Sequence, residues 1–485
     1  MSSSRELIKG SVWVTSGHVI TLVVAFATNI LLARMLDKDN WGIFATLMAV
    51  VSFLSTIADL GLNYSIFHRA SSLSGSSAKS IRERLSTLFT YKLLFILLIG
   101  GAIYLSSGLL SEFFRIPGGQ GYFEVSAVFF VVYNVFATID VVFSGLKMFK
   151  EGSAISLAHN IFRLAFSYLL IVFGMGVNGA LLGYLSAISI SVLVQHLFVG
   201  KYISIMRDKS EDVKETLTYG FFFGIGSLAT VIALWMDSII IGVMMGATAV
   251  GVYRISLSIA TSVGGLLGVV NKVFFPFLAS SESKGIDSIG QLNTALKYGA
   301  FFAFPAMVGL AIASEGIVDV FYTSQYSDAV LPMIILSYVC FDMIFTSLVI
   351  SYLGARKETG ILASSSVAAT AINFILNIVM IPMFGLVGAA FASIASRIWN
   401  AIVLILWSKS GLKEKIEFRN LIIPFLGSLV MGAVLFLASP YINPSASIIA
   451  LGFFMGLGMA VYAVTEQALG FDVIGFGKKV VHAFV

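Results

Sequence analysis

The sequence predicts an all-α polytopic membrane protein of about 14 transmembrane helices, with two pseudo-symmetric six-helix lobes followed by two C-terminal helices. Three observations carry that expectation: composition, the spacing of apolar runs, and an internal repeat. Hydrophobic residues make up 58% of the 485, charged residues only 11%, and mean hydropathy is +0.96. Soluble domains carry about 25% charged residues, so a chain this apolar needs lipid as the solvent for much of its surface.

Taken in order, the runs long enough to cross about 30 Å of hydrocarbon are 11–32, 42–66, 86–110, 123–146, 154–174, 178–200, 217–243, 251–278, 294–314, 329–353, 358–380, 385–407, 420–438 and 447–468. Arg5 and Lys9 precede the first run. That run outlasts the roughly 7–15 residues of a signal-peptide core, so it reads as a retained span. The loops between runs are short, which leaves no room for a soluble catalytic domain, and the chain is not expected to be an enzyme. With the N-terminus inside, alternate loops collect Arg69, Lys79, Arg82, Arg84, Lys147, Lys150, Lys201, Arg207, Lys209, Lys214, Lys284, Arg356, Lys357, Lys409, Lys413, Lys415, Arg419, Lys478 and Lys479. The opposite loops hold Arg34, Lys38 and Arg115. Basic residues stay on the cytoplasmic side, so both termini are expected there. The net charge of +5 then reports topology and not a nucleic-acid partner. One cysteine, Cys340, and five scattered histidines offer no disulfide framework, metal cluster or nucleophile–base pair. No catalytic residue, metal or cofactor is expected.

A shift of 209 residues places Gly17 on Gly226, Gly42 on Gly251, Gly100 on Gly309, Gly145 on Gly354, Gly176 on Gly385 and Gly179 on Gly388. Local strings agree: Trp41-Gly-Ile-Phe with Val250-Gly-Val-Tyr, and Gly176-Val-Asn-Gly-Ala with Gly385-Leu-Val-Gly-Ala. The expected organisation is an N-terminal lobe over 1–210 (spans 1–6), a C-terminal lobe over 211–410 (spans 7–12), and an appended pair with a cytoplasmic tail over 411–485. Parallel repeats of this kind build alternating-access transporters, with the substrate site between the halves.

Polar residues within the spans are costly and therefore informative. Span 5 carries Ser153, Ser156, Asn160, Arg163 and Ser167 on one helical face, and span 11 carries Ser366, Thr370, Asn373 and Asn377. Span 1 offers Ser11, Thr15, His18 and Asn29, and span 7 offers Ser227, Thr230 and Asp237. Serine, threonine and asparagine also serve simply as interhelical glue. Arg163 is different, because a mid-span guanidinium keeps its proton and needs water, a carboxylate or an anionic ligand. Arg34, Arg254, Arg397 and Lys272 are further embedded or span-end cations. Singly they read as snorkelling side chains; together they suggest a basic lumen for a phosphate-bearing substrate. Asp59, Asp140 and Asp237 are candidates for coupling to H⁺ or Na⁺, with Asp342 and Glu466 as further embedded carboxylates. Neutralisation of the buried arginines is the competing role. The substrate-binding candidates are thus Arg163, Arg397, His18, Asn29, Asn160, Arg34, Arg254, Lys272, Asn373 and Asn377.

The string Leu31-Leu-Ala-Arg-Met-Leu-Asp-Lys-Asp-Asn-Trp-Gly-Ile-Phe, followed by Ala58-Asp-Leu-Gly-Leu, resembles the opening of the polysaccharide-biosynthesis flippases. These are the O-antigen and lipid-linked oligosaccharide transporters of the multidrug/oligosaccharidyl-lipid/polysaccharide exporter superfamily. Asp237-Ser-Ile-Ile-Ile-Gly-Val-Met-Met-Gly with Ala249-Val-Gly-Val-Tyr resembles that family's seventh-span signature, and Ile381-Pro-Met-Phe-Gly-Leu-Val-Gly-Ala-Ala its eleventh-to-twelfth-span turn. The resemblance implies a multi-pass cell-membrane protein, functional as a monomer beside glycan assembly machinery. It would move a polyprenyl-pyrophosphate-linked oligosaccharide from the cytoplasmic to the outer leaflet of the bilayer, coupled to H⁺ or Na⁺. The multidrug branch places a carboxylate in its first span, where this chain has His18 and Asn29. Three alternatives stay open: a cation-coupled multidrug or metabolite antiporter, a lipid II flippase, and a membrane glycan polymerase or ligase. The last needs a sizeable outer loop, whereas loops 174–177 and 246–250 are very short.

Overall fold

The computed structural model describes residues 20–73, 75, 77–203, 229, 231–267, 288–409 and 411–471, and every regular element among them is helical. The chain divides into two compact units, Met1–Gly251 and Val252–Val485. The first unit contains α1 (Ile20–Met35), α2 (Lys38–Asp59), α3 (Leu62–Ser72), α4 (Ala78–Leu105), α5 (Ser107–Phe113), α6 (Gln120–Gly145), α7 (Phe149–Leu170), α8 (Gly176–Val199) and α9 (Val231–Met245). α10 (Ala247–Leu267) begins in that unit and ends in the second. The second unit continues with α11 (Ser288–Ile312), α12 (Ser314–Phe321), α13 (Val330–Leu336), α14 (Val339–Ala355), α15 (Thr359–Trp407), the short α16 (Leu412–Lys415), α17 (Arg419–Ile442) and α18 (Ile448–Ala468).

Ten helical stretches among the described residues are long and apolar enough to cross a membrane, and α1 and α9 are shorter apolar helices. Two of the ten run for 54 and 49 residues, Phe149–Tyr202 and Thr359–Trp407. Straight helices of that length would span roughly 70–80 Å, more than twice the hydrocarbon thickness. Both fold back on themselves. In the first, Ser191 Oγ lies 3.3 Å from His159 Nδ1, and a Cβ on Gly183 would sit 2.5 Å from the Ser167 amide nitrogen. Those pairings close on Met175, flanked by Gly174 (φ 83) and Gly176 (φ 50, ψ −129). In the second, the Lys409 amide donates to Glu358 Oε2 at 2.8 Å, so the two ends of α15 meet. The reversal is at Gly385 (φ 59, ψ −135), a conformation nearly identical to that of Gly176 and open essentially to glycine alone.

Three spans depart from their expected outlines. Span 2 is two helices: α2 stops at Asp59, Leu60 turns left-handed (φ 42), and the Asp59 carboxylate accepts the Asn63 amide at 3.2 Å at the start of α3. Span 3 begins earlier than its apolar run. Ser77 caps α4 by accepting the Ser80 amide, and Lys79, Arg82 and Arg84 form its first turns. Hydropathy marks only the part in hydrocarbon, whereas the helix continues beyond it. Span 10 is broken at Ser337–Tyr338, between α13 and α14.

In the first unit, Ile66, Leu85, Leu88, Ile139, Phe143 and Val199 gather α3, α4, α6 and α8 into one core. The start of α2 also meets the start of α10. Thr248 Oγ1 donates to Asp39 Oδ1 at 2.6 Å, and Trp41 Nε1 donates to the Gly251 carbonyl at 3.0 Å. Gly42 permits that approach, since a Cβ there would lie 2.5 Å from the Ala247 oxygen. In the second unit, Leu292, Leu296, Leu348, Tyr352 and Leu404 form one core, and Phe301, Met431, Leu435, Phe454, Tyr462 and Phe471 form another around α17 and α18. Large apolar side chains such as Leu105, Leu197 and Phe436 stand exposed, as they must where lipid is the solvent.

Candidate functional site

In the first unit the polar face of α7 packs between α6 and α8. Part of it is structural: Asn160 is buried with its Nδ2 on the Ser156 carbonyl (2.8 Å), and Ser167 is buried where Gly183 lets α8 approach. Arg163 is half-buried, and its guanidinium carbon stands 5.0 Å from the centroid of the Tyr184 ring. Its Nε is buried without a hydrogen-bond partner, and it makes no ion pair among the described residues. Tyr184 is held by Phe44 (5.0 Å, edge-on) and Phe129 (6.1 Å). On α6, Tyr133 is 37% exposed. One turn before Arg163, His159 packs on Phe136 at 5.1 Å. The result is a permanent cation set among aromatic rings. Such a cation can bind an anion by charge and N–H donation; Tyr184 is itself buried, so of these rings Tyr133 is the one exposed to a sugar.

Elsewhere in this unit, Asp59 Oδ1 pairs with Lys92 Nζ at 2.7 Å, and Lys92 also donates to the Ala58 carbonyl at 3.1 Å. Asp140 is half-buried on α6 with no hydrogen bond or ion pair among the described residues. Asp237 is buried on α9, Asn29 is half-exposed on α1, and Arg34 is exposed at the end of α1. His18 and Lys272 lie outside the described residues.

In the second unit Arg397 Nη1 donates to Asp342 Oδ2 at 2.7 Å, and Thr346 Oγ1 donates to Asp342 Oδ1 at 2.6 Å. The buried carboxylate therefore has both oxygens engaged, and the charge of Arg397 is met. Asn373 and Asn377 are buried on α15, and Arg254 is half-exposed on α10. Among the described residues no three of His, Cys, Asp or Glu gather as metal ligands.

Sequence reasoning did not find Lys92, Tyr133, Tyr184 or His159. Lys92 was readable as a charge inside an apolar run. The two tyrosines carry no signal of their own in a chain that is 13% aromatic. His159 precedes Arg163 by one helical turn, and that spacing was available.

A family model described as "Polysaccharide biosynthesis protein" matches residues 31–331, more than half of the chain. The chain is 22% identical to the probable low-salt glycan biosynthesis flippase Agl15 of Haloferax volcanii, covering 94% of this chain and 95% of that protein. It is 20% identical to the lipopolysaccharide biosynthesis protein WzxC of Escherichia coli, over 69% of this chain and 66% of that one. Among solved structures, the lipid II flippase MurJ in an inward closed conformation has the same fold, with a TM-score of 0.78 at 18% identity over 96% of this chain and 100% of that one. An inward-facing multidrug resistance MATE family transporter has a TM-score of 0.56 at 17% identity, covering 81% of this chain and 96% of that one. The chain is a multi-pass membrane protein and a member of the polysaccharide biosynthesis protein family.

Proposed function

We propose that the protein is a flippase that carries a lipid-pyrophosphate-linked oligosaccharide from the cytoplasmic to the outer leaflet by alternating access, with H⁺ or Na⁺ as the coupling ion. It acts by transport and not by catalysis. The observation that carries this reading is Arg163, a guanidinium within a membrane helix that rests on an aromatic ring with no carboxylate beside it among the described residues. A charge left open in hydrocarbon calls for an anionic ligand, and a pyrophosphate suits its planar donors. Tyr133, 37% exposed, would flank the first sugar, while the buried Tyr184 holds the guanidinium. Arg397 could join only by exchanging Asp342 for phosphate. Asp140, unbonded among the described residues, is the coupling carboxylate most open to an ion, while Asp59 is engaged by Lys92.

The proposal includes fourteen spans, both termini inside, and action as a monomer beside the glycan assembly machinery. The ten long stretches, two of which are hairpins, and the two shorter helices are consistent with that count. It also includes two six-helix lobes, 1–210 and 211–410, with 411–485 appended. The matching reversals at Gly176 and Gly385, 209 residues apart, support a repeat. In that topology the contact of Asp39, Trp41 and Gly42 with residues 247–251 lies at the outer side of the membrane. The names of the relatives, flippases and glycan or lipopolysaccharide biosynthesis proteins, favour the same substrate class. Arg163→Ala should abolish surface glycan in the native host while leaving the amount of protein in the membrane unchanged. Normal glycan in that variant would remove Arg163 from the site and the reading with it.

A further inference from the structure

Glu466 lies near the end of α18, outside the twelve spans of the proposed repeat. It is fully buried, and neither carboxyl oxygen has a hydrogen-bond partner among the described residues. The carboxyl is seated directly on the backbone of α17. Gly427 leaves the space for it, because a Cβ there would collide with Oε1. The neighbouring hydroxyls are turned away: Ser428 donates to the Pro424 carbonyl at 2.7 Å, and Tyr462 donates to the Phe301 carbonyl at 2.9 Å. From α11, Lys297 stands 5.1 Å over the Phe471 ring, and Tyr298 meets that ring edge-on. From α12, Gly316 packs against Pro444, so Glu315 and Asp319 lie at the far end of α18. From α17, Arg419 stands at the helix start and lines an open cleft of about 520 Å³ together with Lys297, Glu417 and Phe471.

Phe471 links the Glu466 turn to that cleft. Its ring stacks on Phe301 at 4.5 Å, its amide donates to the Glu466 carbonyl at 2.9 Å, and its outer side lines the cleft. A carboxylate enclosed in apolar surroundings without a donor is far more costly than the uncharged acid, so a group so placed holds a proton instead. Glutamate at this position thus does what glutamine or leucine would do more simply, unless its proton is exchanged.

We propose that Glu466 is a proton-binding site of the α17–α18 pair. Its carboxyl exchanges a proton with water by way of the cleft that Phe471 and Lys297 line at the end of α18. Use of this proton to drive transport rests on the flippase reading; the proton site itself does not.

Infrared difference spectra of the full chain in lipid nanodiscs, recorded over a pH series for wild type and Glu466→Gln, test it. The expected result is a protonated-carboxyl band that Glu466→Gln loses, that Asp140→Asn keeps, and that disappears reversibly as pH rises. Gly427→Ala, whose methyl takes the carboxyl's seat, should shift the pH at which the band is lost. A spectrum with no Glu466-dependent band at any pH, or with a band indifferent to pH, overturns the proposal. Should the glutamine variant fail to fold, Glu466→Asp replaces it and should move the band. A purified chain that shows the titrating band yet flips no lipid-linked glycan supports the proton site and overturns the flippase reading.

Discussion

Asp59 and Lys92 separate a structural charge from a transport charge most sharply. Lys92 has a side chain only 1% exposed and two acceptors, Asp59 Oδ1 at 2.7 Å and the Ala58 carbonyl at 3.1 Å. Asp59→Ala removes the only carboxylate bonded to Lys92 among the described residues and strands an ammonium in an apolar interior. Breaking a buried pair in this way costs about 3–5 kcal/mol. Asp59 is itself 29% exposed, so the lower end of that range is expected. Loss of Asp59 also frees the Asn63 amide at the start of α3, which adds about 0.5–2 kcal/mol in the manner of a lost helix cap. Asp59→Leu combined with Lys92→Met removes both charges together and should recover most of the loss. Solubilised protein is heated at a fixed rate and the surviving folded fraction read by gel filtration, because unfolding of such a protein is irreversible and only midpoints at one rate compare. An Asp59→Ala midpoint equal to wild type, or a double variant worse than either single one, would refute the argument. If the double variant folds and still supports surface glycan, Asp59 is no coupling residue.

Arg397→Met should destabilise by a comparable amount, about 3–5 kcal/mol, because it strands Asp342; adding Asp342→Leu should restore the thermal midpoint, and failure to do so would count against the pair. Gly183→Leu places a side chain where Cβ alone already lies 2.5 Å from the Ser167 nitrogen, and should cost at least about 1–3 kcal/mol or deplete the protein from membranes; Gly101→Leu, with nothing within 4 Å, is the matched control. Gly385→Ala, at φ 59 and ψ −135, should cost about 1–3 kcal/mol, read as a lowered midpoint, and an unchanged midpoint would mean that the reversal is not held there.

The helical fold was legible because hydrocarbon imposes one rule, that each crossing bury its own backbone polar groups, and apolar length reports that rule directly. The reversals at Gly176 and Gly385 were legible as glycine-rich turns for the same reason. The break at Leu60 was not. It depends on Asp59 turning its carboxylate to the Asn63 amide, and nothing in an apolar run says which way one carboxylate will face. The polar stripe of α7 was legible as a stripe, but its use was divided. Asn160 and Ser167 serve packing while Arg163 does not, and the difference comes from Gly183 and Tyr184 on another helix. Partners of that kind appear only once α8 is folded against α7.

Three cations within the membrane helices illustrate what that folding decides. Lys92 and Arg397 each hold a carboxylate at 2.7 Å, and an incoming phosphate would have to displace it. Arg163 holds a ring instead. A cation–π contact is worth about 0.5–2 kcal/mol, enough to fix where the guanidinium points but too little to neutralise it. The guanidinium's Nε is buried without a hydrogen-bond partner among the described residues, so a pyrophosphate would be met by its two terminal nitrogens. A flippase must release its cargo as readily as it binds it. A cation positioned by a ring and not by a counter-charge meets that need, because nothing has to be displaced on loading. Tyr184→Phe keeps the ring and should leave transport close to wild type. Tyr184→Leu loses the ring and its quadrupole along with some volume, and should lower surface glycan without lowering protein in the membrane. If the phenylalanine and leucine variants transport equally well, the ring does not position Arg163, and the case for that residue as the anion ligand fails.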